Sequence, residues 1–215
     1  MFVFVRDEEH TGVRLPEKDA RVRKTERRLR EALVSLIHEK SYPAIVVNEI
    51  LERADVGRSA FYAHFSNKDA LLASGIVEML HATAPRSLPP SVGPFGKTLW
   101  FSLPVFTYVG QCRHAAEAKM GRRGRAIVHQ HLRYALVEQI GDGVSAAAQA
   151  LDERTAKIPP DLLTEYIVST FIRVLNCWVE SRSPLSPREA DDLFLALVLP
   201  TLVAAVRGDH VGSTK

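Results

Sequence analysis

The stretch Ala44–Leu72, AIVVNEILERADVGRSAFYAHFSNKDALL, decides how the rest of the chain is read. Val47, Ile50 and Ala54 recur at helical spacing, which predicts a short helix over 47–54. The tripeptide Asp55-Val56-Gly57 interrupts it, with Gly57 as the punctuating residue. Phe61 and Phe65 stand four apart and share one face of a second helix over 58–65, while Arg58, Ser59, Tyr62 and His64 turn away from that face. Ser66 followed by Asp69 has the form of a capping box, so another helix starts near Asn67 and continues to about His81. Two short helices joined by a three-residue turn make a helix-turn-helix, whose second helix enters a DNA major groove. Spacing alone leaves an alternative open: three packed helices with no role on DNA.

Upstream, Leu29, Leu33, Leu36 and Ile37 form one apolar stripe, predicting a helix over 22–40 that ends at Ser41-Tyr42-Pro43-Ala44, because the residue before a proline avoids helical angles. Arg21, Arg23, Lys24, Arg27, Arg28 and Arg30 face a single acid, Glu26, within 21–30. That run is a solvated helix face or a DNA-facing one. Residues 1–20 lack periodicity and read as a mobile arm. Downstream, four prolines and two glycines in 84–96 mark a boundary. The chain divides at that stage into an arm (1–20), a DNA-binding domain (21–81) and a helical domain (82–215). Helices are expected over 97–114 with a kink at Pro104, over 122–154 with a weak point at Gly141–Gly143, over 161–181, and over 187–207 with Ser186 as N-cap and Glu189 closing its box. No strand-length alternation occurs, so the fold class is all-α.

The net charge of +3 is mild, and its distribution carries more information than its sum. Two cysteines, Cys112 and Cys177, make no disulfide framework and point to a reducing, cytoplasmic setting. The opening MFVFVRDEEH is too short and too soon acidic for a signal peptide, and no run approaches the ~18–20 apolar residues of a membrane span. Nucleophile elbow, phosphate loop, metal cluster and paired helical carboxylates are all missing, which argues against an enzyme and against any cofactor. His129 and His131, two apart, do not share a helix face and make a poor metal pair.

Ala44–Leu72 resembles the DNA-binding domain of the TetR family of bacterial transcriptional repressors. The resemblance rests on Val47, Ile50, Ala54, Val56, Phe61-Tyr62, His64-Phe65, Lys68 and Leu71 standing in register. Looser likeness extends over GRRGRAIVHQHL and WVESRSPLSPREADDLFLALVLPTL. It implies an N-terminal three-helix DNA-binding domain followed by a helical ligand-binding and dimerisation domain. The implied function is a homodimeric repressor of a palindromic double-stranded DNA operator, released by an unidentified small-molecule inducer. The runner-up is a helical interaction protein of the same fold with weakened or lost DNA binding.

The implied DNA contacts fall on Asn48 in the first helix of the motif, on Arg58 and Ser59 as base readers, and on Tyr62, His64 and Lys68 at phosphates. Arg21, Arg23 and Lys24 would reach the backbone or minor groove as an arm. Two positions depart from the family pattern. Val46 replaces a capping Thr or Ser, and Ala60 replaces a Thr whose hydroxyl reaches phosphate. For the inducer, the candidate lining is Trp100, Phe101, Phe106, Tyr108, Tyr134 and Phe171, with His131, Asn176 or Gln130 as polar groups. Plain core packing is the competing reading for each.

Overall fold

The computed structural model describes residues 17–84, 96–149, 158–181 and 183–207. The chain is all-α, with no strand among these residues. Its elements are α1 (Glu17–Glu39), a 3-10 turn (Tyr42–Ala44), α2 (Val47–Ala54), α3 (Arg58–Tyr62), α4 (Lys68–Thr83), α5 (Gly96–Leu99), α6 (Ser102–Gln149), α7 (Pro160–Glu180) and α8 (Pro187–Arg207). They divide between two compact units. The first comprises the chain up to Ala82 with Gln111–His131, and the second Thr83–Gly110 with Leu132–Lys215.

In the first unit the α1 stripe is buried as its period requires. Leu29, Leu33, Leu36 and Ile37 meet Ile50, Leu51 and Ala54 of α2, Phe61, Phe65 and Leu71, with Tyr42 and Ile45 closing the core between α1 and α2. Ile127 and Val128 pack partly buried against the same cluster, which is why the 111–131 segment groups with the N-terminal helices.

The Tyr42–Ala44 turn is held from a distance. The Tyr42 ring is buried and its hydroxyl donates to Asp69. Burial first, and then the bond to Asp69, push that phenol well above its ordinary range. Asp69 therefore does not close a capping box at α4. Asn67 caps instead, its Oδ1 accepting the Ala70 N–H at 2.8 Å.

At the start of α2, Val46 has the extended backbone of an N-cap (φ −109°, ψ 153°). A valine side chain has no acceptor, so only the reciprocal half of a box forms: the Val46 N–H donates to Glu49 Oε2 at 3.0 Å. The Glu49 carboxyl is held below the usual carboxylate range, first by the Lys40 ammonium bonded to it and then by this N–H. Because Val46 is exposed, completing the box sacrifices no buried surface. Val46→Thr is expected to stabilise the chain by about 1 kcal/mol in denaturant melts; an unchanged or lower midpoint would contradict the cap assignment.

The second unit is built on rings. Phe171 lies 4.9 Å from Phe101, 5.1 Å from Phe106 and 5.3 Å from Phe194, and Phe106 lies 5.5 Å from Trp178, all near edge-to-face. Such geometry sets the positive ring edge on a negative face. Trp178 Nε1 donates to Leu185 O at 2.8 Å, satisfying the one polar atom of the cluster. Gly110 passes so close that a Cβ there would meet Pro187 Cγ at 2.9 Å and Trp178 at 3.3 Å.

Several expected boundaries shift. The segment 97–114 is not one kinked helix: it breaks at Trp100–Phe101, and Pro104 sits in the first turn of α6, where a missing N–H costs nothing. The real interruption is Gly121, whose φ of 69° and ψ of 169° leave the helix. Gly141–Gly143 stay helical. The expected helix end at Arg154 lies outside the described residues. The α8 cap forms as its sequence specifies: the Ser186 N–H and hydroxyl each donate to Glu189 Oε2 at 2.7 Å. One helix, α7, reaches span-like length and mean hydropathy, although Asp161, Glu165, Arg173 and Glu180 interrupt its apolar residues. Its buried Leu163, Ile167, Phe171, Val174 and Trp178 account for that hydropathy as core packing.

Asp191 is a polar intrusion into this second core. It is buried, and its Oδ1 has no hydrogen-bond partner. Burial pushes its carboxyl above the usual range. The Ser102 hydroxyl pulls the other way, but its single hydrogen is shared with Leu99 O at 3.0 Å. A carboxyl raised on folding costs stability above its folded pKa and regains it as pH falls through that value. Asp191→Asn is therefore expected to stabilise the chain by about 1 kcal/mol at neutral pH, with the gain shrinking in acid. Melts at neutral pH and below the ordinary aspartate pKa of about 3.9 check this; an equal effect at both would contradict it.

Candidate nucleic-acid interface

The turn between α2 and α3 is made differently from what the glycine suggests. Gly57 has an ordinary φ of −69°, and a Cβ there would meet nothing within 4 Å. The left-handed residue is Asp55, at φ 50° and ψ 54°, a conformation that aspartate tolerates better than most side chains. Its N–H bonds to Glu52 O at 3.2 Å, and the Val56 N–H to Leu51 O at 3.1 Å, which satisfies the last carbonyls of α2. From α1, Arg28 Nη2 donates to Asp55 Oδ2 at 2.9 Å. The turn is thus fastened to the first helix by an ion pair.

The recognition helix is shorter than expected. Regular helix covers Arg58–Tyr62, not 58–65. The Phe65 N–H still bonds to Phe61 O at 2.8 Å, so one more helical turn is made before the chain departs. That turn puts Phe61 and Phe65 on one face with ring centroids 5.9 Å apart, both buried. Tyr62 meets the Phe61 ring edge at 5.2 Å while half of it faces water.

Asn48, Arg58, Ser59 and Tyr62 are all exposed. Arg58 Nη2 donates to Asn48 Oδ1, which joins the two helices of the motif across their outer surface. Such a surface combines a guanidinium fork suited to guanine, a carboxamide suited to adenine, and hydroxyls suited to phosphate. Ala60 is half-buried and offers no hydroxyl.

The remaining expected contacts are placed otherwise. His64 is only partly exposed and turns to α1, with Nδ1 3.7 Å from Glu26 Oε1. Lys68 is tied into its own unit. Its ammonium donates to Ile45 O at 2.7 Å, Tyr42 O at 2.9 Å and Pro43 O at 3.3 Å, and lies 4.7 Å from the centre of the Tyr42 ring. It thereby braces the turn before α2. Arg21, Arg23 and Lys24 are exposed on the surface of α1, which already begins at Glu17.

Of the expected inducer-lining residues, Phe101, Phe106 and Phe171 are fully buried and stacked on one another. Trp100 meets Phe101 edge-on at 6.4 Å, and Tyr108 is half-buried on α6. Tyr134 is exposed, and His131, like the exposed Gln130, groups with the first unit. Asn176 stands five residues beyond Phe171, on the opposite side of α7, with Oδ1 buried and unpartnered. The aromatic four are gathered and the polar candidates are not. Among the described residues, no group of His, Cys, Asp and Glu is arranged to hold a metal ion. Cys177 is exposed with a free thiol, and the Cys112 side chain lies outside the described residues.

Sequence reasoning missed the groups that lock this unit together: Tyr42, Glu26, Arg28, Arg30 and Glu78. The Glu26–Arg30 spacing of four was the available signal for one of those links.

Residues 29–74 match the model of the bacterial regulatory proteins of the tetR family. Among solved structures, a TetR transcriptional regulator from Streptococcus agalactiae 2603V shares the fold. Its TM-score is 0.51 at 21% identity, over 84% of this chain and 97% of that one. The comparison with curated proteins finds no match.

Proposed function

We propose that this chain, a member of the TetR family of bacterial regulatory proteins, is a cytoplasmic, homodimeric repressor that binds a palindromic DNA operator and is released by a small organic inducer. The single observation carrying the reading is the exposed Asn48–Arg58 pair beside Ser59 and Tyr62, on a helix whose opposite face is buried through Phe61 and Phe65. A recognition helix needs that division: one face fixed to its own domain, the other polar and free. Arg58 and Ser59 are assigned to base edges, and Tyr62 to phosphate.

A two-fold axis follows from reading two half-sites. Support for it comes from α8, where Leu193 and Leu197 are about half exposed one turn apart, and from the exposed Leu162 on α7. Apolar side chains in that position suit a four-helix contact between two copies. The inducer is assigned to the aromatic second unit, around Trp100, Phe101 and Tyr108, with an apolar ligand as the chemical class.

The test is a gel shift on a duplex that the protein itself selects from a random pool, with the mass in solution measured alongside. A salt-sensitive, saturable complex containing two chains is expected. Enrichment of no sequence would defeat the proposal. The second reading, an interaction protein with weakened DNA binding, draws on Lys68 being committed to carbonyls and Ala60 lacking a hydroxyl. It predicts weak binding with no preference among sequences.

A further inference from the structure

Arg30 stands inside the basic run of α1, yet its side chain is only 9% exposed. A guanidinium removed from water needs compensating charge. Arg30 has two carboxylates, on different helices. Its Nε lies 2.6 Å from Glu78 Oε2 of α4, close though poorly aligned as a hydrogen bond. Its Nη2 lies 3.7 Å from Glu26 Oε2, one turn back on α1. The other oxygen of Glu26 faces His64 Nδ1 at 3.7 Å. His64 directly precedes Phe65, the second anchor of the recognition helix, and its own N–H bonds to Phe61 O at 2.9 Å. Polar and charged side chains, each within 4 Å of the next, therefore run from the body of α4, through α1, to the end of the recognition segment.

We propose that Arg30 is a positioning residue for DNA recognition, its buried guanidinium linking Glu78 on α4 to Glu26 and thereby to His64 at the end of the recognition helix. The proposal rests on the DNA-binding reading above and adds how the reading helix is aimed. Phe61 and Phe65 fix the depth of that helix through apolar contacts, which have no direction. The relay joins particular atoms on three elements, so it restricts rotation of the exposed face carrying Arg58 and Ser59.

The experiment is a double-mutant cycle on the full chain, Glu78→Gln and His64→Ala singly and together. It leaves the buried Arg30 in place because Arg30→Met risks failing to fold. Affinities are measured for a duplex selected by the unmodified chain and for poly(dI-dC), with melting temperature recorded throughout. Each single change is expected to weaken the selected duplex about 3- to 30-fold, to leave poly(dI-dC) within about 2-fold, and the pair together to cost little more than the larger single change. Fold-losses that multiply overturn the relay, since residues that act separately add in free energy. Equal losses on both DNAs in His64→Ala, with a salt slope lower by about one, also overturn it, because they mark a phosphate contact.

A second measurement is independent of DNA. Hydrogen exchange at the Phe65 amide is expected to quicken at least about 3-fold in Glu78→Gln. An unchanged rate overturns the relay even if no duplex is ever selected. Failure to select any duplex, with faster exchange in the variant, would instead defeat the DNA-binding reading and leave the mechanical link standing.

Discussion

Phe61→Ala is expected to cost about 3–5 kcal/mol of folding stability, the range for removing a buried ring from a core that does not collapse behind it. The ring is fully buried. It touches Phe65 and Tyr62 on its own segment and shares a cluster with Leu29, Leu33 and Ile50 of α1 and α2. Those helices are fixed in place relative to each other by their own contacts, including Arg53 with Glu39 and Lys40 with Glu49. The cavity therefore stays open. Such a loss is comparable to the whole stability of a small domain. The first unit is expected to unfold near room temperature, with DNA binding lost as a consequence. Phe65→Ala, at a site 7% exposed, is expected to cost less. Denaturant titration with tryptophan-independent detection, such as helical circular dichroism, measures both. A Phe61→Ala loss below about 1 kcal/mol would mean that the recognition segment is not anchored by this ring.

What the sequence made legible was what short-range chemistry decides. The α8 bounds were readable because Ser186, Pro187 and Glu189 carry their capping instructions within four positions, and the box forms as written. The α1 stripe and the Phe61/Phe65 anchor were readable because a 3.6-residue period reports a buried face directly.

The misreadings share a cause, which is partners far away in the chain. Lys68 was placed by resemblance alone, and the carbonyls it bonds lie more than twenty positions upstream. Asp69 looked like half of a capping box, and its actual partner is the Tyr42 hydroxyl. Arg30 looked like one more solvated charge, because charge patterning registers sign and not what packs over it. Gly57 drew the turn to itself, since glycine is the common left-handed residue, while Asp55 took that conformation with Arg28 fastening it. In the second unit the aromatic residues were legible as a group. Which side of α7 each polar candidate occupies depended on how α6, α7 and α8 pack, and a single-chain periodicity does not encode that.

Arg58→Ala is expected to weaken the selected duplex by about 1–3 kcal/mol, a loss of roughly 5- to 150-fold, if the guanidinium reads a guanine edge through both of its forks. Folding should be untouched, because Arg58 is exposed and its one described bond, to Asn48, is on the surface. That bond also sets a cost on reading: Arg58 must leave Asn48, or carry it along, before its donors reach a base. Asn48→Ala separates these cases. If Asn48 only restrains the free arginine, its removal leaves affinity unchanged or slightly improved. If it holds Arg58 in its reading position or meets adenine itself, affinity falls and the preference changes at one base pair. Arg58→Lys tests the fork, since an ammonium keeps the charge without the planar pair of donors. Lysine should retain attraction for unselected DNA while losing most of the preference for the selected duplex. The opposite outcome, full rescue by lysine with a salt slope restored by about one, would place Arg58 at a phosphate and pass base reading to Ser59 and Asn48.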